Sequence, residues 1–521
     1  MTLTRLLVAV IVGVTMSGCA KKQALAPPPP PVVIDLTPAD ALVQAGCYRC
    51  LIEAYDLYTR ALSSPAAPTG ARRGAFSTAI LLALREKELD LDATPWIDKA
   101  RGTALPEEAI YLDIAAAMPW DGGAALDFEP QGSLTVDTLK RWRSEMPLRR
   151  YAVLDDYLLL ALECRLGTRA TINDTARTVD LSPPILQYRV GLCGAEQRPL
   201  LEQLVAQDPR FVEAHYFIGR YEMAAGVTIN GLVAGDSSRR WLVTAVPPLR
   251  LAHEALPQAP TITSVFAGVM RARNELRRAL ALYDEALAIR PGHGEALFGR
   301  TITLSFLRRY DEATAAATDI ISRNRGHVAS AYYYRAWNAY QKTQLDEAAR
   351  DIATARRMRA PEEVLVLSGM IAYDQKRPVD ARRDFDAAIL ENPGRCTAQW
   401  YLGLLDLDEE KWPPAVTSFA TSAQCYVTSA MAFQREVAQL PSDLPEDIRA
   451  EQVATLAQNL EDSRKQAGRS FYNAAQAAMR AGDTPTALLH ARKALTYEVV
   501  RERAEMIVKR LEGGTGTGDR R

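Results

Sequence analysis

The sequence predicts an all-α chain built of helical hairpins stacked in an array, and three observations carry that prediction. From Thr37 onward apolar residues recur at helical spacing, no stretch sustains the alternation of a half-buried strand, and small residues return at a fixed interval. The alanines at 279, 313, 348, 381 and 415 are separated by 34, 35, 33 and 34 residues. Self-similarity at such a period marks a repeat architecture, in which each unit is one supersecondary element that buries its apolar face only against its neighbours. The 521 residues therefore count repeats and not several independent cores.

Residues 1–18 read as a signal peptide, with the cation Arg5, an uncharged run from Leu6 to Val14, and then Met16-Ser17-Gly18-Cys19. The run is too short to span a bilayer, which takes roughly 17 residues. The segment resembles a bacterial lipoprotein signal. That resemblance implies that Cys19 receives lipid and becomes the N-terminus of the mature chain, and that Ala20 after it directs the protein to the outer membrane, facing the periplasm. More than one acyl chain on Cys19 would make the anchoring durable. Residues 19–36 then form a linker, in which Pro27 to Pro31 run as a polyproline II spacer of roughly 3.1 Å per residue.

Thr37-Pro38 opens the first helix as a cap followed by Pro at the first helical position. The repeat is plainest further on. Leu276 to Ala286 holds Ala279, Tyr283 and Ala286 and ends at Pro291; Tyr310 to Ala313 and Leu345 to Ala348 share an Asp-Glu-Ala; Gly369, Ala381, Phe385, Ala388 and Pro393 mark another unit. Pro291 and Pro393 lie 102 apart, three periods, and Gly369 and Gly403 lie 34 apart. This pattern resembles the tetratricopeptide repeat, a helix-turn-helix unit with small residues at positions 8, 20 and 27 and a bulky one at 24. The resemblance covers about 211–425 and 468–500. It divides the chain into degenerate repeats over 37–210, where Cys50 to Leu62 resembles a second helix, and an array over 211–427 with an insertion at about 227–246. A helical insertion over 428–467, a last repeat with a capping helix over 468–512 and a flexible tail over 513–521 complete it. Such hairpins wind into a right-handed superhelix, an α-solenoid, with an extended concave face.

In that geometry position 5 of each first helix points into the concave groove. Counting back from each repeat's small residue gives Tyr216, Ser264, Phe298, Tyr333, Val366, Trp400 and Tyr472, with Tyr334 sharing the place of Tyr333 because the spacing around Ala348 is uneven. Aromatic side chains there are good anchors for a peptide or a sugar ring, and they serve equally as padding between neighbouring helices. Tetratricopeptide domains that hold acidic tails use a Lys and Asn set on these faces. Asn338 is present without the flanking lysines, so the resemblance implies an apolar or aromatic peptide.

Apart from Cys19, six cysteines remain, the even number that an oxidising periplasm would pair. The repeat register puts Cys396 at position 1 and Cys425 at position 30 of one hairpin, side by side. Cys164 and Cys193 have the same separation of 29 in a region of unclear register, so their pairing stays open. Cys47-Tyr48-Arg49-Cys50 reads as a local structural disulfide, with a redox pair as the alternative. It lacks the following His of a haem site and is half a zinc site.

The five histidines form no metal-binding spacing, and no nucleophile elbow, phosphate loop or dinucleotide fingerprint occurs, so neither catalysis, metal nor cofactor is predicted. With 62 Lys and Arg against 63 Asp and Glu and no basic run, a nucleic-acid partner is excluded. What remains is a lipid-anchored envelope scaffold that binds protein or peptide in its groove. An outer-membrane glycan-binding lipoprotein is the alternative, which 7% aromatic content disfavours.

Overall fold

The computed structural model describes residues 34–118, 136–146, 150–166, 179–226, 244–324, 326–360, 363–438, 440 and 446–513. The signal segment, Cys19, the Pro-rich stretch, most of the insertion after Gly226 and the tail beyond Gly513 lie outside them. Among the described residues all regular structure is helical. The N-terminal half contains α1 (Thr37–Ala45), α2 (Tyr48–Leu62), α3 (Thr69–Glu88), α4 (Thr94–Arg101), α5 (Ala109–Ala117), α6 (Val136–Glu145), α7 (Ala152–Leu166), α8 (Pro184–Gly191) and α9 (Arg198–Gln207). The array pairs α10 (Ala214–Gly226) with α11 (Val246–Ala255), α12 (Pro260–Ala272) with α13 (Leu276–Ile289), α14 (Gly294–Phe306) with α15 (Tyr310–Arg323), and α16 (Val328–Gln341) with α17 (Leu345–Arg357). It continues with α18 (Val364–Asp374) and α19 (Pro378–Glu391), α20 (Cys396–Asp408) and α21 (Trp412–Ala438), α22 (Glu446–Arg480) and α23 (Thr484–Ala494), and closes on α24 (Arg501–Gly513).

The small residues do what their period implies. Ala279, Ala313, Ala348, Ala381, Ala415 and Ala487 are all fully buried, letting the two helices of each hairpin approach closely. The bulky residue of each second helix fills the joint to either side. Phe385 seats on Gly369, where a Cβ would come within 2.6 Å of its ring. On its other side it stacks on Tyr401 of the next repeat, with ring centroids 5.1 Å apart. On that same side, toward the following helix, Tyr283 lies on Gly299, sixteen residues later, and Tyr58 on Gly74, again sixteen later, at built-Cβ distances of 2.1 and 2.2 Å. The joint between α2 and α3 is thus the joint of the array, and it begins well inside the half where the sequence pattern is worn.

A second recurrence lies in the turns inside each hairpin. Asn274, Arg308, Thr343, Lys376, Glu410 and Gly482 all have positive φ, and Asp90 after α3 has it too. In each case the next residue's N–H donates to the carbonyl five positions earlier, as from Glu275 to Met270, Arg309 to Leu304 and Leu91 to Glu86. This bond closes the last turn of each first helix and sends the chain back antiparallel.

The stretch expected as a separate helical insertion is instead absorbed into its neighbours. α21 has 27 residues and α22 has 35, against 13 in α20, so the last hairpins share two overlong helices that run side by side as an arm.

Two polar knots tie the N-terminal half to the array. Arg85 of α3 is fully buried, donates to Glu213 Oε1 at 2.9 Å and to the Gly46 carbonyl at 2.7 Å, and lies 3.5 Å above the Tyr188 ring. The same carboxylate accepts the Tyr48 N–H at 2.8 Å. Just past the same C-terminal end of α3, Asp90 takes Arg290 at 2.7 Å and the hydroxyl of Thr261, which lies 2.8 Å from His293 Nε2. Between the knots one core runs from Cys47 and Leu89 through Phe211 and Tyr216 to Tyr283 and Ala296.

Candidate peptide-binding groove

The first helices α10, α12, α14, α16, α18, α20 and α22 carry the residues expected in the groove, and the structure sorts them into two sets. Phe298, Tyr333, Trp400 and Tyr472 are partly open. Tyr216, Ser264 and Val366 are buried, Tyr216 completely.

Tyr216 is therefore corrected from a groove residue to a core residue. Its ring packs on Phe217 at 5.0 Å inside the core that the N-terminal helices share, and burial pushes its hydroxyl above the ordinary range. Part of that core, Cys47, Cys50 and Leu89, lies more than a hundred residues upstream, beyond the reach of a repeat register. Asn338 is corrected likewise. It is fully buried on α16 and neither polar atom of its amide has a partner, so it faces the packing between helices instead of a ligand.

The open set forms a broken aromatic row. Phe298 lies parallel to the His327 imidazole, with centroids 4.2 Å apart, and meets the edge of Tyr334 at 5.9 Å. His327 Nε2 lies 2.9 Å from Glu295 Oε1, which fixes the ring over Phe298. Tyr333 and Tyr334 are perpendicular at 5.2 Å, and Trp400 and Tyr401 repeat that arrangement at 5.3 Å. The Trp400 indole N–H has no partner. Tyr472 accepts a hydrogen bond from Gln476 at 2.8 Å and lies under the Arg503 guanidinium at 5.0 Å. Each ring also touches its own core cluster, so these side chains pad the helix joints while staying partly open.

His327 and Tyr401 belong to this row and were not foreseen. Tyr401 is adjacent to Trp400 and sixteen residues past Phe385, the spacing that also separates Tyr283 from Gly299 and Tyr58 from Gly74, and that spacing would have found it. His327 precedes its helix in a left-handed conformation with φ 49°, and nothing in the sequence announces it.

The cysteines come together in three pairs, Cys47 with Cys50, Cys164 with Cys193 and Cys396 with Cys425, at Cα separations of 4.9, 5.2 and 5.5 Å. Cys47 caps α2, its sulfur accepting from the Cys50 N–H at 3.0 Å, beside the Arg85–Glu213 knot. Cys164–Cys193 joins α7 to the turn after α8, and Cys396–Cys425 clasps the start of α20 to α21. Among the described residues no group of three His, Cys, Asp or Glu side chains is arranged to hold a metal ion. Nor is any helix there long and apolar enough to cross a membrane.

No family model matches the chain, and no curated protein matches it. Among solved structures it is similar to PilF of Pseudomonas aeruginosa, with 14% identity, covering 50% of this chain and 99% of that one at a TM-score of 0.35. It is similar also to YrrB, whose structure is described as that of a TPR protein with an unusual peptide-binding site. There the identity is 17%, the cover 50% and 97%, and the TM-score 0.25. Yeast Tom70 extends over 92% of this chain and 96% of its own at 10% identity and a TM-score of 0.33. The chain's own hairpins, with their buried alanines, glycine-seated aromatics and recurring turn, are of the tetratricopeptide type.

Proposed function

We propose that this protein is a scaffold of the bacterial envelope, held to the outer membrane by lipid on Cys19, that captures an extended apolar or aromatic peptide segment of a partner along its groove. The observation that carries the proposal is the partly open row of Phe298, Tyr334, Tyr333 and Trp400 on alternate helices of one array. Rings already fixed by their neighbours lose little freedom on binding, and each offers a large apolar face.

The test is a pull-down of envelope proteins with wild type and with Phe298→Ala/Trp400→Ala. Loss of capture with unchanged helical content supports the reading, while equal capture overturns it. Binding of the soluble domain on a glycan array would move the assignment to a carbohydrate ligand. Labelling with an alkyne fatty acid tests the anchor separately: the wild type should be marked and Cys19→Ser should not.

A further inference from the structure

In a repeat array each unit touches only its neighbours, so the whole bends like a spring. Beyond the two knots that tie the N-terminal half to the array, a further contact among the described residues breaks that rule. Arg273, in the turn between α12 and α13, lies 3.7 Å from Glu451 of α22, which belongs to the arm formed by the overlong last hairpin helices. The two residues are 178 positions and several repeats apart. Arg273 sits on a turn that is otherwise at the surface, with Asn274 exposed beside it, yet it is only 3% exposed itself. Its near carboxylate is Glu275, with Nε and Oε1 2.8 Å apart. A guanidinium on a surface turn becomes this enclosed only where another element covers it. The element that brings it a second carboxylate is the arm.

The arm has the reach. The helices α21 and α22 run about 40 and about 52 Å at 1.5 Å per residue, roughly two to three times the length of an array helix of 13 or 14 residues. On the arm itself Gln452 is 4% exposed and Leu456 not at all, and the two lie one turn apart on a common face. Glu451 stays 40% exposed, so the pair is open to salt at its edge.

We propose that the turn after α12 is a docking surface for the chain's own α21–α22 arm, fastened by Arg273 and Glu451, and that this strap sets the curvature of the groove between them. Docked, it holds the middle repeats at one opening; released, it lets the array relax. A partner segment thus meets a groove whose width is set from within the chain.

The experiment needs no ligand, so its outcome is independent of whether the groove binds peptide. Spin labels are placed at Arg277→Cys and Ala454→Cys in a Cys19→Ser background, and the distance between them is read by pulsed electron resonance. One narrow, short-distance population is expected at low salt. It should give way to a broad, longer one in Glu451→Arg, and return in the charge swap Arg273→Glu/Glu451→Arg. High salt acting on the unswapped, labelled protein should release the arm without any change of these two residues, which keeps the test decisive if a single variant folds poorly. A long distance at low salt, a distribution unmoved by both Glu451→Arg and salt, or a swap that fails to restore the short distance would overturn the proposal.

Discussion

Arg308 shows at the scale of one residue how the fold imposes a conformation that the sequence does not advertise. It has φ 60° in the turn between α14 and α15, where an L side chain crowds the following carbonyl, and its own side chain is exposed. The equivalent places hold Asn274, Thr343, Lys376, Glu410 and Gly482, with no residue type in common, so the turn was invisible in the sequence although it recurs as faithfully as the alanines. Arg308→Gly removes the Cβ from that conformation, and we expect it to stabilise the protein by about 0.5–1 kcal/mol, read as a higher denaturation midpoint. His490 makes a second case. It is 7% exposed, and burial, with help from Lys493, holds its imidazole below the ordinary value of 6.5 while Asp483 pulls the other way. The folded chain thus binds this proton less readily than the unfolded one. Its contribution to stability is complete above the ordinary pKa and is lost as pH falls from about 6.5 toward the depressed folded value. Once the intrinsic base-catalysed pH dependence of the amides is divided out, hydrogen exchange in α22–α23 should accelerate as pH falls from about 7.5 to about 5.5 in wild type, and less so in His490→Gln. Equal acceleration in both would show that His490 is not the group responsible.

Helices and hairpins were the scale at which the sequence was most legible. Apolar spacing and the 34-residue step place α13 to α20 closely because each repeat carries its own small and bulky residues. The stretch over 428–467 misled for a physical reason: once the template residues stop, a lengthened helix and an inserted one have the same composition, and only packing separates them. The clasp between Cys396 and Cys425 belongs to this scale as well. It closes a separation of 29 residues at the root of the arm. In the loop-entropy picture its removal costs about 3–4 kcal/mol. Cys396→Ser/Cys425→Ser should show that loss mainly as faster hydrogen exchange in α20 and α21, with the repeats before α16 unaffected. A uniform loss across the chain would mean that the array unfolds as one body.

For the whole molecule, the joining of the two halves decides which groove residues are free. Tyr216 was assigned to the groove from Gly219 alone, and it is buried because α3 and its knots close over that end of the array. No local pattern reports a contact between positions 85 and 213, since the pairing depends on the path of every helix between them. The Arg85–Glu213 pair is fully enclosed, so Arg85→Met leaves a carboxylate with no counterion in the core and should cost about 3–5 kcal/mol. Arg85→Met/Glu213→Met should recover part of that loss in denaturant titrations, and a double variant no better than the single one would mean the knot matters for packing and not for charge. The central claim is that partners bind along the aromatic row. Its most direct measurement is photo-crosslinking in cells from benzoylphenylalanine placed at Trp400 and, separately, at Val379, an exposed residue on the second helix α19. Discrete crosslinked partners from position 400 and none from position 379 are the predicted result, and the same partners from both positions, or none from 400, would contradict the account.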